Sequence, residues 1–320
     1  MSLTRRLLDL LLAPTSPAAD CPDVATWWPR HLAAAQRFET TIERAIAGGL
    51  AADRVGWAFA AGYQAALRAL VPALPADTIA ALCVTEDGGN QPKAIRTTLG
   101  ESPDARLVLQ GNKRWTTLGP DSGLLLVAAV DTRGAAGERP AIRVVQVPSG
   151  TPGVTLEPMP DTRFVPEVPH ARVSLQAVSL PAAALLPGDG YDAYVKPFRT
   201  VEDSHVSAAV LAYLYGEARR RGWPQGWCER ALATLAGFAD ASQLEARAAG
   251  THLLLAGVLA WSHALVAEAT ELFARGPEDA AAARWARDVP LMQVAGSARA
   301  QRAARAWESV GTAAQDAARP

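Results

Sequence analysis

The beginning of the chain has the spacing of apolar residues that is typical of amphipathic helices. Apolar side chains recur at intervals of three and four residues: Trp57, Phe59, Ala60, Tyr63, Ala66, Leu67 and Leu70. This spacing puts them on one face of a helix. Pro72 and Pro75 follow, and proline interrupts helical hydrogen bonding. The pattern therefore predicts helices up to about Leu74, with an amphipathic first helix within Met1 to Leu12.

From Ile79 to about Pro187 the pattern changes to short aliphatic and β-branched runs that are separated by glycine and proline. The runs are Leu107 to Leu109, Leu124 to Val130, Ile142 to Val147 and Arg172 to Val178. Runs of this length between turn residues are typical of strands. They predict a small antiparallel β-domain, either a barrel or a sandwich.

After Phe198 the chain returns to long segments rich in alanine and leucine. They predict helices over residues 201–222, 226–247, 249–275 and 278–310, with glycine and proline at some of the breaks. Four antiparallel helices form a bundle. The predicted fold class is α+β in three domains. These are an N-terminal helical domain (1–78), a β-domain (79–195) and a C-terminal four-helix bundle (196–320).

Composition and charge narrow the classes of function. The chain has 320 residues, 49% of them hydrophobic, which is enough for a large core. Its formal net charge of −1, with both signs interspersed, argues against a nucleic-acid-binding surface. Cys21, Cys83 and Cys228 are far apart, so neither a disulfide framework nor a zinc site is predicted.

Nothing in the pattern predicts export or a membrane span. The apolar run within Met1 to Leu12 is short and lacks a signal-type cleavage site. We also expect no uncharged segment of transmembrane length. The predicted location is cytoplasmic.

The segment Gly111 to Thr117 carries the clearest candidate chemistry. Residues two apart on a strand point to the same side, so Trp115 and Thr117 are predicted to share a face. An indole stacks on a flat ring and a hydroxyl bonds to its polar edge, which are the contacts that an isoalloxazine ring uses. Half-buried strands also carry Trp and Thr for packing alone, and this alternative stays open.

A second block, Leu82 to Gly89, is predicted to be a short strand that runs into a turn. Backbone amides exposed in such a turn donate to carbonyl or phosphate oxygens. Within it, Glu86 is predicted to be a solvated loop acid.

Together the two blocks resemble the acyl-CoA dehydrogenase family. Thr85-Glu86-x-Gly88 is followed about thirty residues later by Gly111-x-Lys113-x-Trp115-x-Thr117. Val178 to Gly190 and Arg287 to Ser297 resemble later motifs of the family, in the same order. The resemblance implies the helix–strand–helix architecture, FAD as cofactor, and Thr85, Trp115 and Thr117 as its flavin-ring contacts.

The resemblance also implies a carboxylate that removes the α-proton of an acyl thioester. Many family members place it just before the C-terminal glycine, where this chain has Ala295. A minority place it at the start of the first bundle helix, where Glu202 stands, so Glu202 is the candidate base. The alternative is that Thr200 caps a helix and Glu202 and Asp203 are ordinary first-turn acids. In addition, Asp203 replaces the family's usual arginine.

Other positions depart from the family. Asn90, Gln91 and Pro92 replace its Gly-Ser-Asp sequence, and motifs for the adenine end of FAD are absent. The predicted function is a flavin-dependent acyl-CoA dehydrogenase-like oxidoreductase of fatty acid metabolism, α,β-dehydrogenating an acyl thioester. It implies a homodimer or homotetramer, with electron-transfer flavoprotein as a possible partner. The alternatives are a non-catalytic binding or assembly protein, and a flavin oxidase or monooxygenase on the same fold.

Overall fold

The computed structural model describes residues 3–14, 19–134 and 141–317, so the two ends of the chain, Met1 and Pro320, lie outside it. The described residues divide into two compact units. A helical unit contains residues 1–69, 162–167 and 200–320, and a β unit contains residues 70–161 and 168–199. The three predicted domain boundaries stay a prediction.

Four helices form the N-terminal part of the helical unit. They are α1 (Arg5–Leu12), α2 (Val24–Ala35), α3 (Thr41–Leu50) and α4 (Val55–Leu70). The side chains of Thr4, Asp23 and Thr40 accept backbone N–H bonds at the first turns of α1, α2 and α3, as N-cap residues do. Helix α4 ends two residues before Pro72, as predicted. The first helix is amphipathic, with Leu7 and Leu11 buried.

The C-terminal part contains α5 (Lys196–Arg221), α6 (Gln225–Ala241), α7 (Ala249–Arg275), α8 (Ala280–Asp288) and α9 (Gly296–Ala317). The single helix predicted over 278–310 is wrong, because a 3₁₀ segment, Val289–Gln293, separates α8 from α9. Pro290 lies in this segment and has no N–H to donate to a continuous helix.

Glycines in α3 and α4 allow a close approach to α5. A Cβ on Gly49 would lie 2.0 Å from the carbonyl oxygen of Ala209, and one on Gly62 would lie 2.5 Å from the Cα of Val206. Both distances are too short for any side chain. The glycines therefore fix the part of α5 that carries Glu202 and His205.

Helix α7 is an exception to the expectation that no uncharged segment approaches the length of a membrane span. Among the residues that the structure describes, it is the one helix that is long and apolar enough to cross a membrane, judged by length and composition alone. In the helical unit it packs against α6 and α9. Its inward residues, such as Leu255, Val258 and Leu265, are buried in the core, so the test is weak evidence here.

Among the residues of the β unit that the structure describes, seven strands form one sheet. They are β1 (Ala80–Cys83), β2 (Thr98–Glu101), β3 (Leu107–Thr117), β4 (Leu124–Asp131), β5 (Ile142–Pro148), β6 (Val154–Pro158) and β7 (His170–Leu180). Their main order is β1-β4-β2-β3-β7-β6, and β5 also pairs with β4. The α+β fold class is confirmed, but the sheet is mixed, because β1 and β2 both run parallel to β4. Its core contains Leu99, Leu109, Val127, Val145 and Val173.

Candidate functional site

Glu86 organises the turn after β1. Its carboxylate accepts hydrogen bonds from the backbone N–H groups of Arg96 (2.7 Å) and Thr97 (3.1 Å) and from the Thr97 hydroxyl (2.8 Å). It also pairs with the Lys113 Nζ at 2.6 Å, and the Lys113 side chain is 0% exposed. The expectation of a solvated loop acid is therefore wrong. Glu86 ties the turn to β3 from inside the β unit.

The pKa values of this buried pair follow from its surroundings. Burial alone would raise the pKa of Glu86, but the hydrogen bond and charge of Lys113 and the two backbone amides outweigh it and lower the pKa. Burial lowers the pKa of Lys113, and Glu86 opposes that change. We infer that the two groups form an ion pair at neutral pH.

Thr85, directly before Glu86, is also linked to β3. Its carbonyl oxygen accepts a hydrogen bond from the Arg114 N–H at 2.9 Å, which places it beside β3, one residue before Trp115. Glu86 and Gly89 then exchange backbone hydrogen bonds across a tight turn, in which Gly89 has a φ of +105°. Thr85 is half-buried. The two sequence blocks therefore meet in the structure.

Trp115 lies on a bulge of β3. The register with β7 shifts between Lys113 and Thr116, and Trp115 has a φ of +56°, which is unusual for a bulky residue. Its indole is 43% exposed, with the His170 ring edge-on at 5.9 Å and the Arg114 guanidinium 5.8 Å from the ring centroid. A bulge re-aims a side chain, and here it presents the indole outward.

Thr116 and Thr117 follow the predicted alternation. Thr116 is buried and directs its hydroxyl to the Cys83 sulfur, whereas Thr117 is half-buried and opposite His170 in the β3–β7 register. Burial lowers the pKa of His170, which favours its neutral form. In the segment Gly111 to Thr117, Asn112 and Trp115 are thus exposed, and Gly111, Arg114 and Thr117 are half-buried. The roles of Trp115 and Thr117 as flavin contacts stay predictions.

A cleft of about 530 Å³ lies in the β unit, and the residues of β3 that line it are Gly111 to Arg114, directly before Trp115. The turn after β1, the β1–β2 connection, β3 and β7 provide its walls. Its lining is rich in charged side chains: Glu86, Asp87, Lys93, Arg96, Lys113, Arg114 and Arg172. Sequence reasoning missed this cluster, because its basic residues are scattered over eighty positions and form no local motif.

In the helical unit, Glu202 is half-buried on α5. Because α5 begins at Lys196, Thr200 lies within the helix instead of before it. The alternative in which Thr200 caps the helix and Glu202 is a first-turn acid is therefore wrong. The macrodipole at a helix start does not account for this acid.

Asp203 and His205 follow Glu202 on α5, and both make contacts within the helical unit. Asp203 is buried and pairs with Arg299 (2.8 Å) and Arg302 (2.5 Å) of α9. The His205 Nδ1–H donates to the Val201 carbonyl, and its Nε2 accepts from the Thr41 hydroxyl at 3.0 Å. Burial lowers the pKa of His205 to about 4, so it carries no positive charge at neutral pH.

The arginine–aspartate motif has a structural role in the helical unit. Asp288 accepts a hydrogen bond from the Val165 N–H at 2.8 Å, and Arg287 binds both carboxylate oxygens of Glu167. Arg287 and Asp288 also form an ion pair with each other. They hold the 162–167 segment within this unit.

Comparison with known proteins is consistent with this architecture. Residues 81–178 match the family model for the acyl-CoA dehydrogenase middle domain. A probable acyl-CoA dehydrogenase, YngJ, of Bacillus subtilis (strain 168) is 31% identical over 128 residues. That match covers 40% of this chain but only 32% of the relative, so the aligned part spans about a third of its length.

Solved structures extend the likeness to nearly the whole chain. Butyryl-CoA dehydrogenase from Megasphaera elsdenii superposes with a TM-score of 0.67, at 18% identity, covering 96% of this chain and 99% of that one. Glutaryl-CoA dehydrogenase from Mycobacterium smegmatis, in complex with FADH2, gives a TM-score of 0.61 at 16% identity, covering 88% and 85%. At these identities the comparison shows the fold.

Proposed function

The resemblance to the acyl-CoA dehydrogenase family is confirmed by the middle domain and the fold, and from this premise we propose that the protein is a flavin-dependent oxidoreductase that α,β-dehydrogenates an acyl thioester. The observation that carries the proposal is the outward-facing Trp115 on its bulge, beside Thr85 and Thr117. A bulky residue at positive φ costs of order 1–3 kcal/mol, and such strain is concentrated at functional sites.

The residues present fit a flavin ring. Trp115 offers an accessible aromatic face, and two half-buried hydroxyl residues lie next to it along the strand and across the turn. The His170 ring lies edge-on to the indole at 5.9 Å, on the side of Trp115 that faces β7. When bound, FAD would supply the acceptor for the hydride that leaves the β-carbon of the substrate.

Glu202 is the proposed general base for the α-proton. Ala295 has no proton acceptor, and Asp203 is held in ion pairs with two arginines. His205 has one nitrogen donating to a backbone carbonyl and the other accepting from Thr41. Glu202 stands at the start of the first bundle helix, where a minority of the family carries the base, and we propose that it takes the proton.

A second candidate function is that of a non-catalytic protein, which has the fold of the family and binds a ligand but does not carry out the dehydrogenation. Asp203 and its arginine partners support it, because this buried pairing stands where the family usually has an arginine. The segment Pro92–Ala94 also forms a 3₁₀ turn without the serine hydroxyl of the family. Under this proposal the protein acts as a binding or assembly partner.

The proposed partners follow from the proposed reaction. An acyl-CoA or a related thioester is the substrate, and the working form is a homodimer or homotetramer in the cytoplasm. An electron-transfer flavoprotein is the proposed electron acceptor. A flavin oxidase differs at this step, since oxygen then reoxidises the flavin.

The first test is the visible absorbance spectrum of the purified protein before and after incubation with FAD and desalting. Retained flavin bands that bleach when an acyl-CoA is added without oxygen are the expected result. Retained bands that no acyl-CoA bleaches favour an oxidase or the binding role. A protein that never retains flavin contradicts the proposed oxidoreductase.

A further inference from the structure

The bulge in β3 leaves the backbone N–H of Trp115 outside the ladder with β7, because the register shifts across this residue. Its neighbour Arg114 donates its own N–H to the carbonyl oxygen of Thr85. The Trp115 N–H donates to the sulfur of Met159, at 3.2 Å. A thioether sulfur is a weak acceptor, and its chemistry can change. The strained residue of β3 is therefore bonded to a side chain that oxidants modify.

The backbone of Met159 is restricted on both sides. Met159 directly follows β6 and stands between Pro158 and Pro160, and proline restricts its own backbone and that of the residue before it. The Met159 N–H donates to the carbonyl oxygen of His170 on β7 at 2.8 Å. The ring of the same histidine lies edge-on to the Trp115 indole. The sulfur is thus presented to Trp115 from a stiff backbone, so a change at the sulfur is passed to the bulge.

Hydrogen peroxide converts a methionine sulfur to the sulfoxide. A sulfur lone pair attacks one peroxide oxygen, the O–O bond breaks, an S–O bond forms and water leaves. The sulfur is oxidised by two electrons and the peroxide is reduced by the same two. The Trp115 N–H would then face either a sulfur with less electron density or an oxygen in a new position. The hydrogen bond of the bulge cannot keep its present geometry in either case.

We propose that Met159 is a positioning residue for Trp115, and that its oxidation to the sulfoxide by hydrogen peroxide displaces the indole and weakens flavin binding. A bulky residue at positive φ stays there only where its surroundings over-determine the conformation, and the bond to Met159 is one of these constraints. Met159 is half-buried, which leaves part of it open to small solutes. The inference rests on the proposed function, because it takes Trp115 as the flavin contact.

Two substitutions separate the hydrogen bond from the sulfur. Met159→Gln keeps an unbranched side chain with an acceptor oxygen but cannot form a sulfoxide, whereas Met159→Leu removes the acceptor. Met292→Leu is the matched control, because Met292 is also half-buried and lies in the helical unit. Each full-length chain is measured before and after treatment with hydrogen peroxide and then a thiol reductant, which reverses cysteine sulfenic acids and disulfides but not methionine sulfoxide. Peptide mass spectrometry measures the oxygen added to Met159 and Met292.

Two readouts are compared. The first is the backbone amide NMR signal of Trp115 in protein labelled at its nine tryptophans, assigned with Trp115→Phe. The second is FAD affinity by flavin fluorescence. In the unsubstituted chain and in Met292→Leu, peroxide should move the Trp115 signal and weaken FAD binding by about two- to tenfold, as expected for the loss of one hydrogen bond. Met159→Leu should bind FAD this weakly without peroxide. Met159→Gln should bind FAD like the unsubstituted chain, and peroxide should change neither readout.

The outcomes separate this inference from the proposed function. If FAD binds and full oxidation of Met159 changes neither the Trp115 signal nor the FAD affinity, the inference is overturned and the flavin proposal stands. The inference is also overturned if peroxide leaves Met159 unoxidised, or if Met159→Gln is as sensitive to peroxide as the unsubstituted chain. If no variant binds flavin but oxidation of Met159 moves the Trp115 signal, the proposed oxidoreductase is overturned and Met159 remains the positioning residue of Trp115.

Discussion

The β unit and the start of α5 are preserved to different degrees. In the β unit, Thr85, Trp115 and Thr117 match the family motif, and a buried Glu86–Lys113 pair fixes the turn that joins the two motif blocks. On α5, Asp203 stands where the family usually has an arginine, and it forms ion pairs with Arg299 and Arg302 of α9. The chain therefore matches the family motif at the proposed flavin contacts and departs from it around the proposed base.

The largest expected effect tests the α5 side of this comparison. Glu202→Gln removes the proposed proton acceptor and keeps the size of the side chain. Flavin reduction by substrate should fall by about 10²- to 10⁴-fold, since this is what a positioned general base contributes, while flavin retention stays unchanged. Stopped-flow absorbance measures both quantities.

Glu229→Gln on α6 is the matched control, because Glu229 is exposed. Undiminished reduction in Glu202→Gln would remove Glu202 from the reaction and leave α5 without its proposed role.

The next effect concerns the stability of the β unit. Lys113→Met leaves the carboxylate of Glu86 buried without its ion partner, and breaking a buried pair in this way costs about 3–5 kcal/mol. Urea unfolding should show this loss, and Lys196→Met should cost less than about 1 kcal/mol, because Lys196 is in an exposed pair. Equal losses in the two variants would mean that the buried pair does not anchor the turn.

A smaller effect is expected for the proposed flavin platform. Trp115→Ala should weaken flavin binding by about 1–3 kcal/mol, the range measured for aromatic stacking on nucleic-acid bases. Trp261→Ala, which removes an indole 62% exposed on α7, should leave flavin binding unchanged. Flavin fluorescence titration compares them, and unchanged binding in Trp115→Ala would leave the outward indole without its proposed role.

The last prediction concerns the pH dependence of stability in the helical unit. The pKa of His205 is about 4 when folded and about 6.5 in an unfolded chain. Between these two pH values, His205 binds a proton in the unfolded state but not in the folded state. The contribution of the neutral, buried His205 to the free energy of unfolding is therefore fully present above pH 6.5 and is lost as the pH drops towards 4. His205→Gln should reduce the slope of unfolding free energy against pH by about 1.4 kcal/mol per unit in this window. An identical slope would show that His205 is not buried as a neutral group.

Local pattern predicted much of the fold, and its failures have physical causes. The spacing of apolar residues was sufficient for α4, and short apolar runs between turn residues were sufficient for β1, β3, β4, β5 and β7, whereas β2 and β6 were not predicted. It missed the break at Pro290, where alanine-rich segments on both sides have the same helical composition. It also placed the start of α5 too late, and this is why Thr200 as a cap remained an alternative.

The candidate site shows a similar division. The separation of Thr85 from the Trp115 segment was enough to predict that they act together, and the Arg114–Thr85 hydrogen bond brings them together. The environment of Glu86 was not predictable, because its partners are ten, eleven and twenty-seven residues away. In the sequence, an acidic residue in a turn without an adjacent basic residue has the pattern of a solvent-exposed acid.

The sequence by itself determined the order of helices and strands and the resemblance to a flavin-binding family, because these depend on residue periodicity and on short motifs. Only the tertiary structure decided which charges are paired, that His205 is neutral and that the Trp115 N–H donates to the Met159 sulfur. Burial and long-range pairing set these properties, and both depend on residues that are distant in the chain and adjacent only after folding.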